Sequence, residues 1–139
     1  MTFSPKKFRR SENGATTIET TLWIPVFFAF FALLFDIVMM FNGQAAALRI
    51  VQEANRDYSI GTISTLSGTR SRIKSNLASI NITVSDGDIV PRQSKGVIST
   101  KVEIPAAELG SLGWFKAFKN VTIEVTAEQT IENMEVARS

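Results

Sequence analysis

The sequence predicts an α+β fold. It should have one long N-terminal helix, spanning a membrane and then running on outside it, a second short helix, and a small three-stranded antiparallel sheet. Three observations carry this. The twenty residues from Leu22 to Phe41 hold a single charge, Asp36, with apolar side chains on every face. The stretch 43–58 keeps apolar residues at spacings of three and four. Beyond residue 80 the apolar period becomes two, the spacing of half-buried strands.

Each element follows in order. At about 1.5 Å per residue, a twenty-residue run makes about 30 Å of helix, the thickness of the hydrocarbon layer. A 139-residue chain is too short to bury such a helix in a water-soluble core, so it reads as membrane-spanning. Ala45, Ala47, Leu48, Val51, Ala54 and Tyr58 continue the helix, with Gln44, Arg49, Gln52, Glu53 and Arg56 on its other faces. Only Asn42-Gly43 interrupts, and one glycine is tolerated at about 1 kcal/mol, so a single helix of roughly forty residues is expected. A second helix is predicted over Thr69 to Ile80, with Ile73, Leu77 and Ile80 inward and Arg70, Arg72 and Lys74 outward. The expected strands are Ile80-Ile82-Val84, Ile98-Thr100-Val102-Ile104 and Val121-Ile123-Val125-Ala127, with a turn at Asp86-Gly87. One face of that sheet needs a cover, and the two helices can supply it. The domain division is then 1–14, a basic leader; 15–60, the spanning and extended helix; and 61–139, a small extracytoplasmic unit.

Composition narrows the chemistry. Cysteine and histidine are both absent. That removes disulfides, thiolate metal sites, cysteine nucleophiles, and the usual general base near neutral pH. No carboxylates stand in a catalytic spacing and no glycine-rich phosphate loop occurs, so neither an enzyme, a cofactor, a metal nor a small-molecule substrate is expected. The net charge of +2 is a property of the leader: residues beyond 14 hold 11 basic and 12 acidic side chains. A nucleic-acid surface is therefore not indicated. Lys6, Lys7, Arg9 and Arg10 precede the apolar run, which keeps that end in the cytoplasm and exports the C-terminal part.

The informative string is Lys6-Lys7-Phe8-Arg9-Arg10-Ser11-Glu12-Asn13-Gly14-Ala15-Thr16-Thr17-Ile18-Glu19. A basic leader, a glycine at the polar-to-apolar border and a glutamate five residues later coincide in front of the span. This arrangement resembles the class III signal of type IV pilin-like proteins. The size and element order of the remainder resemble the TadE/TadF-like minor pilins of tight-adherence (Tad) systems, although an aromatic usual after the glutamate is replaced here by Thr20. The resemblance implies cleavage between Gly14 and Ala15 by a prepilin peptidase at the cytosolic face. Glycine, lacking a side chain, suits a narrow protease site. It further implies that Glu19 pairs with the new α-amine of a neighbouring subunit during assembly. Implied partners are the peptidase, a major Flp-type pilin, other minor pilins and the bacterial inner membrane; implied roles are pilus assembly, adherence and biofilm formation.

Other residues stay open at this point. Asp36, in the outer third of the span, either contacts another subunit's helix or reaches the periplasmic interface. Pro25 should kink the helix mildly, Trp23 should anchor at the cytosolic interface, and Leu109, Leu112, Trp114, Phe115 and Phe118 form an apolar cluster that either folds over the sheet or faces a partner. Asn81-Ile82-Thr83 and Asn120-Val121-Thr122 match the glycosylation sequon by chance. Two other architectures compete: an uncleaved single-span anchor of an envelope secretion system, and a secreted domain cut after Ala45-Ala46-Ala47 by an ordinary signal peptidase.

Overall fold

The computed structural model describes residues 12–109 and 121–132. Its element order is helix α1 (Glu12–Ser59), helix α2 (Leu66–Ser79), a 3₁₀ turn (Asp86–Asp88), strands β1 (Ile89–Ser94) and β2 (Val97–Pro105), a short helix α3 (Ala106–Leu109) and strand β3 (Thr122–Thr130). The class is α+β, as expected. The chain forms two compact units, Met1–Leu34 and Phe35–Ser139.

In the first unit α1 accommodates Pro25 without ending. Ile18, Leu22, Phe28 and Phe31 are among its exposed large apolar residues, and Trp23 packs beside Phe27 with ring centroids 6.2 Å apart.

In the second unit the three strands lie in the order β1-β2-β3, antiparallel throughout. Their inner face packs against the outer half of α1 and against α2. Ala47, Val51 and Ala54 of α1, Ile73 and Leu77 of α2, and Ile89, Val102, Ile104, Val125 and Ala127 of the sheet share one buried core. This is the cover that the half-buried strands required. The other face is polar: Lys101 on β2 reaches Glu103 at 3.0 Å and Glu124 on β3 at 2.9 Å. Glu103 and Glu124 stand opposite each other in the ladder, and the lysine offsets their repulsion.

Local chemistry sets the boundaries. Thr65 caps α2, its hydroxyl accepting from the Gly68 N–H at 3.1 Å. At the other end Asn81 takes a left-handed conformation at φ 62°, while the Asn81 and Ile82 N–H groups return to the Ala78 and Leu77 carbonyls. This is the Schellman arrangement that ends a helix. Lys95 and Gly96, both at positive φ, form a two-residue turn of the type that matches strand twist in a β1–β2 hairpin. Pro91 lies on β1, an edge strand, where a missing N–H is tolerated.

Three sequence expectations are corrected. The first strand is Ile89–Ser94, not 80–84. Ile82 and Val84 do alternate inward and join the core, but among the described residues no strand ladders with them; β2 pairs with the 89–94 segment instead. Asp86-Gly87 opens a 3₁₀ turn rather than joining two strands, with Asp88 Oδ2 accepting from the Ser85 N–H at 3.0 Å. Ile80, Val121 and Ala45 are exposed rather than inward, because α2 ends at Ser79 and β3 begins at Thr122, each one residue inside the expected bound, and Ala45 lies on the free side of α1. Leu109 joins the core, whereas Leu112, Trp114, Phe115 and Phe118 lie outside the described residues.

Candidate functional site

The expected functional residues lie along α1. Lys6, Lys7, Arg9 and Arg10 fall outside the described residues. Gly14 and Ala15 lie within α1. Glu19 is exposed one turn further on. It is followed by Ile18's neighbours in space, Leu22 and Pro25, which with Thr21 line a shallow apolar groove on one side of the helix. Glu19 and Asp36 fall in different compact units.

Asp36 is fully buried in the Phe35–Ser139 unit. The carboxylate there is enclosed by its own chain. The physical reason is that folded protein covers this side of α1 already from Asp36 onward.

Several positions were not singled out from sequence. Asn55 is buried and links α1 to two strands: its Nδ2 donates to the Ala127 carbonyl at 2.9 Å, and its Oδ1 accepts from the Thr100 hydroxyl at 2.6 Å. The signal was available, since Asn55 lies four residues after Val51 and three before Tyr58 on the buried stripe. The Tyr58 hydroxyl donates to Gln93 Oε1, tying the end of α1 to β1. Gly43 lies against Leu109: a Cβ at residue 43 would sit 2.9 Å from Leu109 Cδ2. The glycine read as a mere interruption is thus the place where α3 approaches α1.

Ala45-Ala46-Ala47 sit in the middle of α1 with Ala47 fully buried in the core. Among the described residues no group of acidic side chains could hold a metal ion.

One helix among the described residues is long and apolar enough to cross a membrane, and in that apolar stretch almost every side chain is uncovered by the protein itself. Together with the small α+β unit carried at its end, this fits a single-span membrane protein with a structural role. Residues 14–56, less than half of the chain, match the family model described as TadE-like protein. No curated protein and no solved structure matches. The matched segment is consistent with a TadE-like protein of the Tad pilus, a family that is structural rather than catalytic and is associated with pilus components and membrane.

Proposed function

We propose that the chain is a minor pilin of a Tad-type pilus. The supporting observation is the coincidence, within the TadE-like segment, of an apolar helix whose side chains are almost all exposed as far as Phe35 with Glu19 as the one acid on its N-terminal side after Gly14. Apolar side chains exposed in this number require lipid, and later neighbouring helices, as their solvent.

In this proposal the basic leader 1–14 stays in the cytoplasm and a prepilin peptidase cuts between Gly14 and Ala15. The span holds residues 61–139 outside the cytoplasm, as a periplasmic unit that can enter the fibre. The new Ala15 amine of one subunit then meets Glu19 of another. A carboxylate moved into an apolar helix bundle is costly unless a cation joins it, so the pair would favour one axial register. Asp36 is retained as a candidate for contact with a neighbouring helix; because it is covered in the single chain, that contact would require its cover to shift. The partners are the peptidase, a major Flp-type pilin, other minor pilins and the inner membrane, and the outcome is assembly, adherence and biofilm formation.

The test is the N-terminal sequence and intact mass of membrane-extracted protein made with and without a prepilin peptidase. A start at Ala15 that depends on the peptidase supports the proposal. An intact Met1 start in the presence of an active peptidase would leave a plain membrane anchor.

A further inference from the structure

We propose that the Phe35–Ser139 unit is seated in the surface of a phospholipid bilayer, with its rim at Val38, Phe41 and Ile80 in the boundary between headgroups and acyl chains. This rests on α1 being membrane-spanning. The two sides of α1 change character at different heights. On one side folded protein begins at Asp36, which is 0% exposed, and continues through Met40 to Ala47. On the other side Phe35, Val38 and Phe41 remain 50%, 63% and 61% exposed. They are spaced by three and share one arc of the helix. The first polar residue on that side is the exposed Asn42, followed by exposed Arg49 and Gln52. From Asp36 to Phe41, about 9 Å of helix carries protein on one side and lipid-type side chains on the other.

A second element reaches the same level. Ile80, just past the end of α2, is 42% exposed and lines a hollow with Met39 and Gly43 whose polar edge is Asn42, Asn81 and Glu108, the groups that would face the headgroups. Lipid is the occupant because Phe35, Val38 and Phe41 close the apolar run of the sequence from Leu22 to Phe41, whose single charge, Asp36, is buried on the other side of the helix. Length agrees. Ile18 to Phe41 is about 36 Å of helix, more than the roughly 30 Å of hydrocarbon and less than the 40–45 Å that includes headgroups. The seating also explains how a carboxylate persists at this depth: Asp36 is turned into the folded unit, where acyl chains do not meet it.

The natural absence of cysteine allows single labelling sites. Nitroxide probes would be placed on Leu22→Cys, Val38→Cys, Ile80→Cys and Thr126→Cys in the full chain. The protein would be reconstituted into phosphatidylethanolamine–phosphatidylglycerol vesicles and exposed to oxygen and to a water-soluble nickel chelate. The probes at 38 and 80 are expected to lose most of the nickel collision seen at 126 and to approach the oxygen collision seen at 22. Nickel access at 38 and 80 equal to that at 126, with 22 still in lipid, would overturn the seating and leave the span intact. Nickel access at 22 as well would mean that the span itself is wrong. Protection of 38 and 80 from both reagents, with spin broadening relieved by unlabelled protein, would place a second copy there and also overturn the proposal.

Discussion

Thr100 on β2 donates a 2.6 Å hydrogen bond to Asn55 on α1, in a site closed to solvent. The other half of the Asn55 amide donates to the Ala127 carbonyl at 2.9 Å, and Thr100 and Ala127 are opposite each other in the β2–β3 ladder. One side chain therefore fixes the outer half of α1 against two strands at once. Removing it strands a buried hydroxyl and reduces the partners of a carbonyl, each costing about 1–3 kcal/mol when unsatisfied. Asn55→Ala should lower unfolding stability by about 2–4 kcal/mol on the same principle, measured by denaturant titration of the detergent-solubilised chain. Combined with Thr100→Val, the loss should be less than additive, since the valine removes the hydroxyl that the alanine leaves unsatisfied. Strict additivity would mean that the two side chains act independently.

Gly43 and Leu109 give a second, graded prediction. An added methyl would be too close only to Leu109 Cδ2, the end of a side chain that can rotate, with Leu109 Cβ at 3.6 Å and Cα at 3.8 Å in ordinary contact, and alanine favours helix over glycine by about 1 kcal/mol. Gly43→Ala should therefore change stability little. Gly43→Leu should cost about 1–3 kcal/mol by overpacking. Thermal unfolding of the two variants side by side checks this, and equal tolerance of both would show that α3 does not pack closely on α1.

The surface ion pairs predict the pH response. The hydrogen bond with Glu124, then that with Glu103, raises the Lys101 amine above its ordinary 10.5, and Lys101 in turn holds Glu124 below 4.5. Lys74 holds Asp86 below 3.8 in the same way, mainly through their hydrogen bond. A lowered carboxylate contributes stability above its ordinary range and loses it as pH falls through the folded value. A raised amine contributes below its ordinary value and loses it as pH rises through the folded one. All three groups are exposed, so the effect should be small. Melting curves below about pH 4 should show a shallower acid loss in a Lys74→Met, Lys101→Met variant than in wild type. An unchanged slope would mean that the pairs contribute nothing to stability.

Much of the fold was legible because burial leaves a period in the sequence. Ala47, Val51, Ala54 and Tyr58 declared the inner face of α1, and Ile98 to Ile104 declared β2. The first strand was misplaced because period two reports which side chains point inward, not which backbone finds a ladder partner; Ile82 and Val84 satisfy the first condition alone. β1 was obscured by Pro91 and Arg92, which are acceptable only because it is an edge. Asn55 and Gly43 were illegible as contacts because each depends on a residue far away in the chain. Gly14, Ala15 and Glu19 were named through the resemblance to the pilin-like signal, since their proposed roles involve other proteins rather than this chain's own packing.

Glu19 carries the assembly prediction. Glu19→Gln keeps shape and hydrogen bonding but removes the charge. It should insert and be trimmed normally, yet fail to co-purify with the other pilins, because an α-amine with an ordinary pKa of about 7.7–8.0 is left without a counter-ion once buried. Wild-type levels of pilus incorporation for the trimmed variant would leave Glu19 as a residue of the headgroup layer.

The processing site tests the whole account most directly. Wild-type protein and Gly14→Val should be expressed with an active prepilin peptidase, extracted from membranes, and their N-termini sequenced. Wild type should begin at Ala15, while Gly14→Val should insert equally well and keep its leader. A wild-type chain that still begins at Met1, or a Gly14→Val chain trimmed as efficiently as wild type, would contradict the assignment of Gly14 and Ala15 and with it the pilin reading.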